Sequence, residues 1–157
     1  MKKYVIALDQ GTTSSRAMLI DRAGRPVASV QRPFPQIYPQ PGWVEHDPQD
    51  ILSSQLGALA ELIMSANADT AEITNQRETT IVWDRATGEP IMNAIVWQCR
   101  RTAPMVEAIA SDPATAAEIT ARTGLVPDAY FSASKLAWIL GEVPGARARA
   151  EAGELCF

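Results

Sequence analysis

Short apolar segments alternate with small polar and turn-forming residues over the first thirty positions of the chain. The segments at residues 4–8, 16–20 and 26–31 each have about the length of a strand, and Asp21 and Gly24 belong to the turn before the last of them. This pattern predicts a β-meander of three strands.

Further along the chain, the apolar residues recur with the period of a helix. Asp47 and Pro48 form an N-terminal helix signal, and the apolar repeat continues from there to about Ala66. Two strand-like segments, residues 79–83 and 91–97, are joined by a hairpin signal. Four more helices are predicted at residues 102–110, 113–123, 132–140 and 145–152. Strands followed by mixed strands and helices predict an α/β layer architecture around a mixed sheet.

The stretch from residue 32 to residue 48 interrupts this pattern. It holds five of the eleven prolines, which exclude a helix or a central strand. We therefore expect a long ordered excursion over the surface, in which His46 is a solvated loop residue. Because His46 is the sole histidine in the sequence, any general base is expected to be a carboxylate.

Composition narrows the class of protein. A chain of 157 residues with 46% hydrophobic content is long enough for one folded, soluble domain. The net charge of −4, with both signs interspersed, provides no cationic face for nucleic acid, and no segment has membrane-spanning length. Residues 4–8 are too short for the apolar region of a secretory signal, and Cys99 and Cys156 have no metal-binding or disulfide-framework spacing. We expect a cytoplasmic protein.

The stretch ALDQGTTSSR at residues 7–16 has the composition of a phosphate cradle. Gly11 permits a tight turn in which backbone amides converge on an anion, and Asp9 would suit magnesium held through water. The remaining candidate donors of the cradle are the hydroxyls of Thr12, Thr13 and Ser14 and the guanidinium of Arg16. A hairpin turn made of ordinary turn-forming residues explains the stretch equally well. The chain contains neither a P-loop nor a Rossmann glycine fingerprint.

Three further motifs offer groups that could hold a polyol. In ITNQRETTIVW, Arg77 and Glu78 place a donor and an acceptor side by side, although a surface ion pair is the plainer interpretation. Trp97 ends the apolar strand of AIVWQCRRT, and Tyr130 precedes the helix of DAYFSASK. Both aromatic residues could equally belong to the core.

Taken together, the motifs resemble those of the glycerol kinase family, which lies within the carbohydrate kinases of actin-like, ribonuclease-H-like fold. The resemblance covers nearly the whole chain through ALDQGTTSSR, QIYPQPGWVEHDP, ITNQRETTIVW, NAIVWQCRRTA, TGLVPDAYFSASKLAWIL and GELCF. It implies ATP-dependent phosphorylation of glycerol to glycerol 3-phosphate, with ATP and Mg2+ as cofactors. It also implies roles for single residues: Thr12, Thr13, Ser14 and Arg16 at the nucleotide phosphates, Asp9 near magnesium, and Arg77, Glu78, Trp97 and Tyr130 around glycerol.

The resemblance also suggests what this chain lacks. Residues 1–157 are expected to form an N-terminal lobe that is incomplete at its C-terminal end. The base aspartate and the second, adenine-binding lobe are expected beyond Phe157, so we expect the chain alone to be inactive and the full-length protein to be a homo-oligomer. Residues 67–73 are too few to form the strand that usually precedes ITNQ, which implies either a true deletion or a stretch of the protein that this sequence does not include.

Three alternatives remain open from the sequence. The acceptor could be another polyol or a pentose. The chain could be an actin-like nucleotide-binding module without turnover, or a truncated product with a structural role alone. We expect the hydroxyl-rich bend of residues 11–14 and the Arg77–Glu78 pair to open onto one cleft.

Overall fold

The computed structural model describes residues 4–65 and 71–157. Its strands are β1 Tyr4–Gln10, β2 Ser14–Asp21, β3 Pro26–Pro33, β4 Glu45–His46, β5 Ala71–Thr74, β6 Trp83–Asp84, β7 Ala94–Ile95 and β8 Leu155–Cys156. Its helices are α1 Pro48–Ser65, α2 Ala103–Ala110, α3 Pro113–Thr123, α4 Ser132–Glu142 and α5 Ala146–Glu151. The chain divides into two compact units: a first of Met1–Gln36 and His46–Arg77, and a second of Ile37–Glu45 and Glu78–Phe157.

The first unit is built on a mixed four-stranded sheet in the order β3-β2-β1-β5. β1 to β3 pair antiparallel through tight turns, which confirms the predicted meander, and β5 lies parallel to β1. The two parallel strands therefore end at the same edge of the sheet, because strands that run in the same direction have their carboxyl ends together.

One face of this sheet carries the core of the first unit. Ile6, Leu8, Ala17 and Leu19 are buried there at alternate strand positions. Leu62, one of the α1 residues that pack against them, is fully buried. Truncating a buried leucine of this kind to alanine costs about 2–5 kcal/mol, so packing under α1 is a major source of stability.

Helix α1 begins where the sequence predicts. The Asp47 carboxylate accepts a hydrogen bond from the Gln49 amide at 2.8 Å and so caps the first turn. The predicted end at Ala66 and most of the short segment 67–73 lie outside the described residues. The strand that follows, β5, is four residues long and pairs with Ile6 to Asp9 of β1.

The second unit contains four helices, the small sheet of β6 with β8, and the pairing of β7 with β4, whose Glu45 belongs to this unit. Its core consists of Val82, Ile95, Cys99 and Ile139, against which Trp43 and Trp138 pack. The predicted strands 79–83 and 91–97 are wrong in length. The first keeps one residue of regular strand, Trp83, and the second keeps two, Ala94 and Ile95, beside isolated bridges. Pro90 faces Trp83 in the hairpin and has no amide to continue the pairing.

The helices of the second unit confirm the predicted ones to within two residues at each end. Asp112 caps α3 by accepting from the Ala114 amide at 3.2 Å, and Gly124 ends that helix with a φ of 74°. In the described part of the chain, no helix combines the length and the apolar character that crossing a membrane requires.

The excursion between β3 and α1 is exposed over much of its length, but His46 is fully buried. The expectation of a solvated histidine is therefore wrong. His46 belongs to β4, and its ring meets the ring of Phe34 edge-on at 5.0 Å between centroids. Contacts with Phe34 and Gln36 thus bury the end of this proline-rich stretch within the first unit.

Candidate functional site

The hydroxyl-rich bend forms a tight loop, residues 11–13, between β1 and β2, which we call the phosphate loop. The Gly11 amide donates to the Ser14 carbonyl at 3.0 Å. A Cβ at position 11 would lie 3.0 Å from that same oxygen, so a larger residue there would have to displace the Ser14 carbonyl.

Every carbonyl of the phosphate loop accepts a hydrogen bond from the protein. Gly11 O accepts from the side-chain amides of Gln10 at 3.2 Å and Gln76 at 3.1 Å. Thr12 O accepts from the Gln36 side chain at 3.2 Å, and Thr13 O accepts from the Phe34 amide at 3.3 Å. The Gly11 amide is itself bonded to the Ser14 carbonyl, so the predicted role of anion donor in this loop falls to the amides and hydroxyls of Thr12 and Thr13.

A row of polar residues crosses the sheet beside this loop. Gln31 of β3 is opposite Arg16 of β2, Arg16 is opposite Asp9 of β1, and Asp9 is opposite Thr74 of β5. Directly paired residues project from the same face of a sheet, and Asp9 alternates with the core residue Leu8. The row therefore lies on the face that α1 does not cover.

Gln31 fixes the two predicted phosphate ligands of β2. Its Nε2 donates to Ser14 Oγ at 2.7 Å, and its Oε1 accepts from Arg16 Nη2 at 3.1 Å. The amide thereby holds a hydroxyl and a guanidinium in one orientation at the carboxyl edge of the sheet. Such a pair supplies a neutral donor and a fixed positive charge, which suits a phosphate group.

Asp9 is the carboxylate that the sequence assigns to magnesium. It is half-buried in β1, and over residues 4–65 and 71–157 no cluster of three or more His, Cys, Asp or Glu side chains could hold a metal by itself. Magnesium is commonly bound through one or two carboxylates, water and substrate phosphates. A lone carboxylate beside a phosphate loop fits that chemistry.

Residues 74–77 leave the sheet at the same edge as the phosphate loop. The Gln76 side chain donates to Gly11 O at 3.1 Å, so this polar run reaches the loop within the first unit. Arg77, the next residue, is exposed and is the last residue of that unit.

Glu78 begins the second unit with an unusual backbone. Its φ of 63° is the sole positive value at a non-glycine residue in the described part of the chain. The Glu78 carboxylate oxygen Oε2 accepts from the Ser132 amide at 2.9 Å and from Ser132 Oγ at 2.8 Å. The carboxylate is thus anchored at the N-terminus of α4, where amides and helix dipole stabilise negative charge.

The two predicted aromatic ligands come together in the same unit. The rings of Trp97 and Tyr130 meet at 5.8 Å between centroids, with planes 67° apart. The Trp97 amide donates to Thr79 Oγ1 at 3.3 Å, which ties the tryptophan to the residue that follows Glu78. Tyr130 is 37% exposed, so its side chain is not simply core.

A buried lysine supports this part of the site. Lys135 of α4 has no exposed surface, and its Nζ donates to the carbonyls of Tyr130 and Phe131. Burial lowers the pKa of Lys135 below its usual value, while the negative charge of Glu78 acts in the opposite direction. Lys135 therefore holds the Tyr130 turn against helix α4.

The first unit thus collects Asp9, the phosphate loop, Arg16 and Arg77, and the second collects Glu78, Trp97 and Tyr130. One cleft shared by both sets stays a prediction. Sequence reasoning missed the residues that hold these groups: Gln10, Gln31, Gln36, Gln76, Ser132 and Lys135. All of them except Gln31 lie within the sequence motifs named above, so the sequence showed that these positions carry amide, hydroxyl or ammonium donors. It did not show which groups they bind, because the fold determines those partners.

The chain is similar to known kinases over nearly its whole length. Residues 4–156 match the FGGY family of carbohydrate kinases, N-terminal domain. A glycerol kinase of Clostridium beijerinckii is 56% identical, over 100% of this chain and 32% of its own length. The chain therefore spans about a third of that relative.

Solved structures agree with this relationship. A Plasmodium falciparum glycerol kinase with ADP has a TM-score of 0.89 at 30% identity, covering 98% of this chain and 32% of its own. A gluconate kinase from Lactobacillus acidophilus has a TM-score of 0.83 at 25% identity, covering 94% of this chain and 30% of its own. These structures share the actin-like, ribonuclease-H-like α/β fold that the sequence predicts. With both its sequence and its fold matching from the first strand to the last, the chain belongs to the FGGY family of carbohydrate kinases.

Proposed function

We propose that the complete protein phosphorylates glycerol at the expense of ATP, and that this chain is the N-terminal lobe of that kinase. The observation that carries the proposal is the 56% identity to a glycerol kinase across 100% of this chain. The structural similarity to a gluconate kinase is accompanied by 25% identity, which is weaker support for a sugar acid as acceptor.

The first unit would bind the phosphates of ATP. Thr12, Thr13 and Ser14 offer donors to the phosphate oxygens, and Arg16 neutralises the charge that develops during transfer. Phosphoryl transfer requires mainly positioning and charge stabilisation from the protein, which matches a loop whose carbonyls are all held in place.

Mg2+ would lie near Asp9, through water, and would supply charge neutralisation at the phosphates. Asp9 is half-buried beside Arg16 and Thr74, on the face of the sheet opposite to α1, where its carboxylate could serve the metal. The protein's own contribution is to keep this carboxylate and the loop donors at one edge.

The acceptor would be held by Arg77, Glu78, Trp97 and Tyr130. A carboxylate fixed by Ser132 accepts from a hydroxyl, the guanidinium donates to one, and an aromatic pair covers the carbon chain of a small polyol. Catalysis further requires a base, and the family resemblance implies an aspartate for that role beyond Phe157.

The test uses the complete product of the encoding gene. We expect ADP formation that depends on glycerol, with gluconate, xylulose and ribitol turned over at least about a hundredfold less efficiently. Glu78→Gln should abolish most of this activity, whereas Glu89→Gln, at an exposed position in a hairpin, should not. The 157-residue chain alone is expected to give no turnover.

Two results would reject the proposal. A higher specificity constant for a pentose or sugar acid would transfer the assignment to another carbohydrate kinase. ADP binding without acceptor-dependent turnover, unchanged in Arg77→Ala, would favour an actin-like nucleotide-binding module.

A further inference from the structure

The segment that follows β3 contacts the phosphate loop from outside the quoted phosphate motif. The Phe34 amide donates to Thr13 O at 3.3 Å, and Gln36 Nε2 donates to Thr12 O at 3.2 Å. Two successive carbonyls of the loop are therefore held by one short stretch of chain. Gln36 is the first residue of the motif QIYPQPGWVEHDP, to which the proposed function gives no role.

Gln36 is in turn held by His46. Gln36 Oε1 and His46 Nε2 lie 2.7 Å apart, and the same Gln36 amide group also donates to Phe34 O at 3.4 Å. Because Gln36 Nε2 donates to two carbonyls, its Oε1 must be the acceptor, and His46 Nε2 must carry the proton.

The surroundings of His46 favour that one tautomer. Its ring is fully buried against Phe34, and its Nδ1 has no hydrogen-bond partner among the described residues. Burial lowers the pKa of His46 below the usual value for histidine. In this neutral tautomer Nδ1 carries no proton and Nε2 is the hydrogen-bond donor of the ring. The hydrogen bond that His46 donates therefore goes to Gln36.

We propose that Gln36 and His46 are positioning residues that set the orientation of the phosphate loop toward the nucleotide. His46 fixes the Gln36 amide, Gln36 fixes Thr12 O, and the peptide planes of the loop then direct their donors to the phosphates. Neither residue touches substrate in this scheme. The inference rests on the proposed function, because it assigns the nucleotide to this loop.

The first experiment measures steady-state kinetics of the complete gene product with Gln36→Met and with His46→Leu. Each should raise the KM for MgATP by about three- to tenfold, the effect of one lost buried hydrogen bond, and leave the KM for glycerol unchanged. His46→Gln, which can restore a donor near the Nε2 position, should recover most of the loss. Gln49→Met, at an exposed glutamine in the first turn of α1, is the matched control.

The double variant Gln36→Met with His46→Leu tests the order of action. If His46 acts through Gln36, the double variant should be no worse than Gln36→Met. Additive losses, equal effects on both substrates, or failure of His46→Gln to recover binding would overturn the proposal.

Amide hydrogen exchange at residues 11–14 separates this inference from the proposed function, because it requires no turnover. Exchange there should be faster in Gln36→Met than in the parent protein and unchanged in Gln49→Met. A parent protein without kinase activity would reject the proposed function, while unchanged exchange would reject the positioning role. Should Gln36→Met not fold, Gln36→Glu removes the donor to Thr12 O and keeps the acceptor for His46.

Discussion

Removing the hydroxyl of Ser132 tests whether the anchored carboxylate of Glu78 serves the acceptor. Ser132→Ala deletes the 2.8 Å bond from Oγ to Glu78 Oε2 and leaves the 2.9 Å bond from the backbone amide. A hydrogen bond to a charged group contributes about 1.5–3 kcal/mol. Since one of two donors survives and the site is partly buried, we expect a loss of about 1–2 kcal/mol, or roughly 5- to 30-fold in kcat/KM for glycerol.

The assay is ADP release by the complete gene product, with glycerol varied at saturating MgATP and then MgATP varied at saturating glycerol. The KM for MgATP should not change, because Ser132 contacts the carboxylate and not the phosphate loop. Ser132→Thr keeps the hydroxyl and should stay close to the parent, and Ser111→Ala removes an exposed hydroxyl from the end of α2 as a control. An unchanged specificity constant for glycerol in Ser132→Ala would refute the reasoning.

Two further predictions concern stability. Arg101 forms a buried ion pair with Glu45 at 2.6 Å, so Arg101→Leu leaves a buried carboxylate without its cation. Urea titrations should show a loss of about 3–5 kcal/mol in the free energy of unfolding. The control Arg32→Ala breaks an exposed ion pair with Glu61 and should cost less than about 1 kcal/mol. Equal losses of unfolding free energy in Arg101→Leu and Arg32→Ala would show that burial does not increase the contribution of the Arg101–Glu45 pair. Burial lowers the pKa of His46 in the folded protein below the usual value of 6.5. As the pH falls below about 6.5, the unfolded chain is therefore protonated at this residue before the folded protein is. The free energy of unfolding should accordingly decrease between about pH 6.5 and pH 5. His46→Gln should flatten this part of the pH profile, and an equal slope in both proteins would contradict the assignment.

Local signals in the sequence were sufficient for the helices and the meander. Asp47 with Pro48, and Asp112 with Gly124, mark helix ends through hydrogen bonds that span a few residues. Such signals depend on residues that are close in the sequence, so the predicted boundaries of these elements that fall within the described residues agree with the structure to within two residues.

Partners distant in the chain explain what the sequence could not predict. His46 is buried because of contacts with Phe34 and Gln36, and the surrounding prolines gave no indication of them. Glu78 meets Ser132, 54 residues later, and a surface ion pair was the plainer interpretation of its sequence neighbourhood. The residue types at the site were readable, but the groups that orient them depend on pairings that only the fold creates.

The left-handed backbone of Glu78 has a consequence for the natural variation of this position. A residue with a side chain in that conformation costs about 1–2 kcal/mol relative to an ordinary one, a penalty that glycine would avoid. Drift under selection for stability alone would therefore lead toward glycine at position 78. Retention of glutamate among descendants of this chain would be a signature of selection for the carboxylate itself, and its loss would be an early sign that a lineage has lost the proposed activity.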